Sequence, residues 1–280
     1  VNKSQAENNN VDISKIEIKP DVFSWLKTQV SISFLNSYQY KRNLDSHLMK
    51  NTEWGAVAFL SHSKYGNNTK IRQNNVTAHK TGYAANIEPT CGYTGKKEEC
   101  NGYCENDSCS SPYNTATGNL ASTTGNIYGI YDMSGGNWEY VMAFVQNESH
   151  TILIGSNSSL TSGFSGLNYD GSMITNGYSL PEAKYYDLYN TTTSSTNLKV
   201  RILGDATGEL GPIFSKTYTT SVRNLSSWYD NQAVFLRLET PFLTRSGATD
   251  IGINSGIFAF DNQYGQACSS YRIILTPNLT

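Results

Sequence analysis

The chain has 280 residues, a net charge of −2, 16% charged and 38% hydrophobic residues, and 19 tyrosines. That length allows one large domain or two ordinary ones, and the aromatic content argues against disorder. No basic stripe alternates with aromatics and no apolar run reaches membrane-spanning length, which argues against nucleic-acid binding and a membrane span.

Residues 1–15 are polar and Asn-rich and read as a flexible lead or the end of a stalk. The remainder, 16–280, reads as one domain with long insertions. Ile16–Pro20 and Val22–Leu26 carry alternating apolar positions and start the folded part. Val30–Tyr40 alternates well enough for a strand. Lys41–Lys50 reads as a short helix, with Leu44 and Leu48 one turn apart. Asn51 or Thr52 then caps a second helix, Glu53–Ser61, whose buried stripe is Trp54, Val57 and Ala58. Ser63–Lys80 is a polar loop that turns at Gly66-Asn67-Asn68.

The segment 81–118 is a long insertion with few apolar residues, and it needs staples to stay ordered. Cys91, Cys100, Cys104 and Cys109 can supply them as two disulfides, with three pairings open. Zinc is the competing reading, but paired C-x2-C knuckles are missing. Disulfides imply an extracellular location, outside a reducing cytosol.

Gly125–Tyr140 packs four glycines, the aromatic anchors Tyr131 and Trp138, and the carboxylates Asp132 and Glu139 into one short stretch. Glycine belongs where backbone turns tightly or passes close to another backbone. Hard oxygen ligands beside tight turns suit calcium, so Asp132 and Glu139 are compatible with a metal; the competing reading has Glu139 accepting backbone amides. No other cofactor is expected. Tyr140–Val145 reads as a strand, Gln146–Ser179 as a surface excursion, Lys184–Leu188 as a short aromatic piece and Leu198–Leu203 as a strand.

Ser226–Asn231 and Asp261–Gln266 have the composition of a binding surface: rigid aromatic area beside adaptable Ser, Asn and Gly. Trp228, Tyr229, Asp230, Asp250, Asn254, Asp261, Asn262 and Tyr264 form the expected contact surface, acting by stacking and hydrogen bonding. His47, His62, His79 and His150 share no ligand spacing and read as surface or loop residues. No nucleophile elbow, phosphate loop or carboxylate dyad is present.

Three segments carry a family resemblance. Asn126–Tyr140 resembles the YGLYDMSGNVWEW segment of the formylglycine-generating-enzyme branch of the C-type-lectin fold, departing from it at Gly136-Asn137 and Tyr140. Met49–Leu60 resembles the family's PTEAEWEYAA helix. Pro241–Gly247, Ser255–Phe260 and Tyr271–Leu275 resemble its RGG … GFR ending, with Arg245 and Arg272 matching the two arginines and Ser246 replacing a glycine. The pattern, including Ile202–Glu209, is also similar to exported proteins of gut-type bacteria, some with pilin-like leads. The resemblance implies an α+β, C-type-lectin-like fold and a ligand surface built by the C-terminal part of the chain. The enzymes hold copper on a pair of closely spaced cysteines near the C-terminus; here that region offers Cys268 alone, and the chain reads as a non-enzyme. The expected role is a bacterial surface protein binding a protein or glycan partner; the alternative is a filament subunit assembling with itself, and a formylglycine-type oxidase ranks below both.

Overall fold

In a computed structural model of the protein the described residues are 11–76, 79–92, 107–146, 180–190, 202–207, 214–218, 221–226, 228–237, 240–265 and 269–277. Helices α1 (Val30–Tyr40) and α2 (Asn51–Ser61) flank the short strand β1 (His47–Leu48). Strands β2 (Tyr83–Ala85), β3 (Ser110–Pro112), β4 (Glu139–Gln146) and β5 (Asp187–Asn190) follow. Then come β6 (Phe214–Tyr218), β7 (Ser221–Leu225), β8 (Phe242–Arg245), β9 (Phe260–Gln263), β10 (Ser270–Tyr271) and β11 (Ile273–Ile274). The architecture is α+β.

β4 is the axis. Its continuous apolar run suits a strand covered on both faces. Alternate side chains enter two cores: Val141, Ala143 and Val145 join Trp54 and Ala58 of α2, while Tyr140, Met142 and Phe144 join Val30 and Phe34 of α1. The sheet order is β10-β4-β8-β9, with β5 also paired to β4. β10 runs parallel to β4 at Glu139–Tyr140 and β5 at Ala143–Gln146, so the two share β4 lengthwise. β8 lies antiparallel to β4, with a register shift between Tyr140 and Phe144. β1 pairs with β11, fixing the start of α2 beside the chain's last strands.

Several expectations are corrected. Val30–Tyr40 is helix, not strand: Val30, Phe34 and Tyr38 recur every fourth residue and all are buried. Ser33 and Ser37 satisfy their hydroxyls by donating to the carbonyls four residues back, at 2.9 and 2.7 Å, so both sit buried in the helix with their polar atoms paired. Lys41–Lys50 is not a helix. A 3-10 turn at Arg42–Leu44 ends at Asp45 in the left-handed region (φ 47°), and Leu48 enters β1. At α2 the cap position is Lys50, whose amide donates to Glu53 Oε2 at 2.8 Å. Thr52 instead donates its amide and hydroxyl to Asp187 of β5, at 2.7 and 3.2 Å. The end of the polar lead, Ile13–Lys15, is a 3-10 turn anchored by the Asp12 amide on Asn36 Oδ1. Ile202 and Leu203 are not strand; they lie in a turn, and the rest of the expected strand at 198–203 is outside the described residues.

Buried polar groups join the layers. Asn51 Nδ2 donates to the Tyr189 hydroxyl, which donates to Asp205 at 2.6 Å. Asp205 also accepts from the amide and hydroxyl of Thr207. Arg245, wholly buried, donates to the carbonyls of Ala206 and Ile257 and lies 5.6 Å from the ring centres of both Trp54 and Phe260. It is a clamp on loop backbone.

Candidate functional site

Two features stand out: an aromatic ledge in the C-terminal third, and a cleft under the glycine-rich stretch.

The ledge is a turn at Trp228–Asp230. Trp228 and Tyr229 are 37% and 39% exposed, large for aromatic rings on a folded domain. Beneath them lies fully buried Phe258, edge-on to Trp228 at 4.8 Å and stacked on Tyr229 at 6.4 Å. His62, at the end of α2, meets the same ring at 4.8 Å. Tyr229 and Asp230 both take positive φ, 58° and 54°, a conformation that bulky L-residues adopt rarely. The turn is held there from several sides. The Ser226 amide donates to the Asn231 carbonyl, and the Asn231 amide and the Ser226 hydroxyl both donate to the Trp228 carbonyl. Asn254 Nδ2 donates to the Asp230 carbonyl at 2.8 Å, and Asn231 Nδ2 donates to the Ser255 carbonyl at 3.0 Å. Gly256 leaves the room that Asn231 occupies; a Cβ there would collide with its side-chain oxygen.

The expected contact residues therefore divide. Trp228, Tyr229 and Asp230 come together on the ledge, all exposed. Asp250 is exposed on a 3-10 turn, Thr249–Ile251. Asn254 and Asp261 are corrected from surface to interior: each is buried, Asn254 holding the ledge and Asp261 accepting from Gln232 Nε2 at 2.6 Å. Asn262 is part-buried and donates to the Phe235 carbonyl. Tyr264 is exposed but follows the far end of β9 from Phe260, away from the ledge. Two of the histidines are also corrected, while His79 lies part-buried in a loop and His150 is outside the described residues. His47 is buried and bonded to Glu53 Oε1 at 3.0 Å, and His62 is part of the ledge base. Burial, partly opposed by the Ala58 carbonyl, pushes the His62 imidazole below its ordinary pKa.

The glycine-rich stretch behaves as its composition implies. Gly135 and Gly136 take φ of 74° and 73°, and a Cβ on Gly135 would strike the Asn74 carbonyl. Ser246 takes a positive φ of 81° and donates its hydroxyl to the Gly135 carbonyl at 2.8 Å. Trp138 is only part-buried; the fully buried indoles belong to Trp25 and Trp54. Glu139 accepts from Arg272 Nε and Nη2, at 3.0 and 2.9 Å, a forked ion pair rather than backbone contacts. Asp132 accepts from Asn74 Nδ2 and the Gly82 amide at 2.8 and 3.1 Å. Burial raises its carboxyl pKa against the pull of Asn74 and Arg272. Among the described residues no three His, Cys, Asp or Glu converge as a metal site.

Above these groups opens a cleft of about 460 Å³, which no local pattern signals because its walls come from stretches far apart in the chain. Cys91 and Cys109 are both disulfide-bonded; Cys100, Cys104 and Cys268 lie outside the described residues. The Cys91 carbonyl accepts from the Ile253 amide, joining the insertion to the loop that supports the ledge. No protein-family model matches the chain, and no curated protein matches it.

Proposed function

We propose that the chain is an extracellular, bacterial surface-binding module, C-type-lectin-like in fold and without bond chemistry, that recognises a protein or glycan partner through its C-terminal loops. The observation that carries this reading is the ledge. Two exposed aromatic rings are held on a buried one, over a backbone in an uncommon conformation that surrounding hydrogen bonds over-determine. Such strain is kept where a presented surface matters more than local ease. Pre-ordered rings bind without a further ordering cost, and they stack on sugar faces or apolar side chains. The disulfides at Cys91 and Cys109 support an oxidising compartment.

The test is retention of the purified chain on arrayed glycans and on a defined panel of host surface proteins. Trp228→Ala and Tyr229→Ala should each weaken retention on the best-bound partner by about tenfold or more. Equal retention by the native chain and both variants on every partner would sink the reading.

A further inference from the structure

The cleft shares no lining residue with the ledge and has its own chemistry. Its mouth is apolar: Ile18, Ile127 and Ile130 line it while remaining 59%, 46% and 39% exposed. Large aliphatic side chains grouped around a concavity, rather than scattered singly, mark a place where something apolar is received. Tyr131 and Ile273, both part-buried, also line it. The volume, about 460 Å³, is in the range that encloses a small organic molecule.

The closed end is polar and its bonding is uneven. Glu139 is matched on both oxygens by Arg272 Nε and Nη2. Asp132 is matched on both oxygens by Asn74 and Gly82. Arg272 Nη2 also donates to the Asp132 carbonyl. Among the described residues nothing accepts from Arg272 Nη1. The group left over is thus a donor, so the ligand end that fits is an acceptor. Its charge follows from the neighbours. The Arg272 charge is already balanced by Glu139, and that of Lys19, the other cation in the lining, by Glu17 Oε1 at 3.0 Å, so a carboxylate entering there would meet Glu139 and lose hydration without a net counter-charge. An ammonium would have to compete with Arg272 for acceptors that are already used.

From this geometry we infer a second binding site: the cleft takes an uncharged amphipathic molecule, its aliphatic body between Ile18, Ile127 and Ile130 and a carbonyl oxygen on Arg272 Nη1. The site is independent of the ledge.

A matched series tests it: octanamide, octanoate and octylamine, titrated into the purified chain and followed by ligand-observed NMR and by the side-chain Nε–H signal of Arg272. Octanamide should bind saturably and shift that signal, and octanoate should bind about tenfold more weakly or worse. Ile127→Asp and Ile130→Asp change exposed residues, so the fold should survive, which circular dichroism checks; each should weaken octanamide by about tenfold or more. Trp228→Ala should leave octanamide binding unchanged even where it abolishes partner retention. Octanoate or octylamine binding as tightly as the amide would overturn the ligand class. No saturable binding by any of the three, binding indifferent to both isoleucine variants, or binding lost in Trp228→Ala would overturn the site.

Discussion

At the residue scale, His62 and His47 show how one side-chain type is driven in opposite directions. His62 packs against Phe258, Tyr229 and Trp228, and burial lowers its pKa. Below the ordinary histidine value of about 6.5 the unfolded chain takes up a proton that the folded chain resists. Its contribution is therefore whole above that value and falls as the pH drops towards the folded pKa. For His47, burial acts downward, but the Glu53 hydrogen bond, the Asp45 carbonyl and nearby negative charge outweigh it, and its pKa is raised. Its stabilisation is whole below the unfolded pKa and is lost as pH rises through the folded one. His62→Phe should remove the first effect and keep the second. Thermal melts from pH 5 to 8 should then show the variant gaining on the native chain towards acid; a parallel offset at every pH would show that His62 does not titrate against the ledge.

At the element scale, α2 is built by tertiary partners as much as by its own residues. Asp187, far along the chain, meets the first turn through Thr52, and Trp54 donates its indole N–H to the Ile257 carbonyl at 2.7 Å. Gly55 lets the helix rest on the turn that carries Gly204 and Asp205; a Cβ there would overlap the Gly204 carbonyl. In an exposed helix, glycine to alanine gains about 1 kcal/mol from propensity. Here the sign should reverse. Gly55→Ala should lose about 1–3 kcal/mol in urea denaturation through overpacking of helix against turn. A stabilised variant would mean that the turn yields freely and that the close approach is not needed.

At the scale of the molecule, one strand divides two cores, while the ledge, the insertion and the cleft are attached around it. That arrangement separates what reduction should loosen from what it should not. The Ile253 amide bonds to the Cys91 carbonyl, and the 251–254 loop in turn supports Asp230. Reducing the disulfides removes about 2–4 kcal/mol of constraint. Amide exchange at Ile253 and Asn231 should accelerate on reduction, while Met142 and Val145 of β4, buried on both faces, should stay protected. Uniform acceleration across the chain would show the disulfides holding the whole fold rather than its rim.

Much of the frame was legible in the order of residues. Tyr140–Val145 reads as a strand, although that both its faces are covered came only from the structure. The Trp54 helix reads from its spacing, and the tight turns at Gly135-Gly136 read because only glycine enters that backbone region freely. What local pattern cannot carry is partnership. Val30–Tyr40 satisfies two periodicities at once, and the choice of helix came from burial against Tyr140 and Phe144. Asn254 and Asp261 look like surface residues until the segments that claim their polar atoms are placed beside them. The cleft is the extreme case: Ile18, Ile130 and Arg272 are neighbours only after folding. The sequence by itself determined the covalent and conformational options, where chain can turn, bury or cross-link. Which polar groups are consumed inside and which are left facing a partner was decided by tertiary packing alone, because hydrogen-bond satisfaction depends on distance in space and not along the chain.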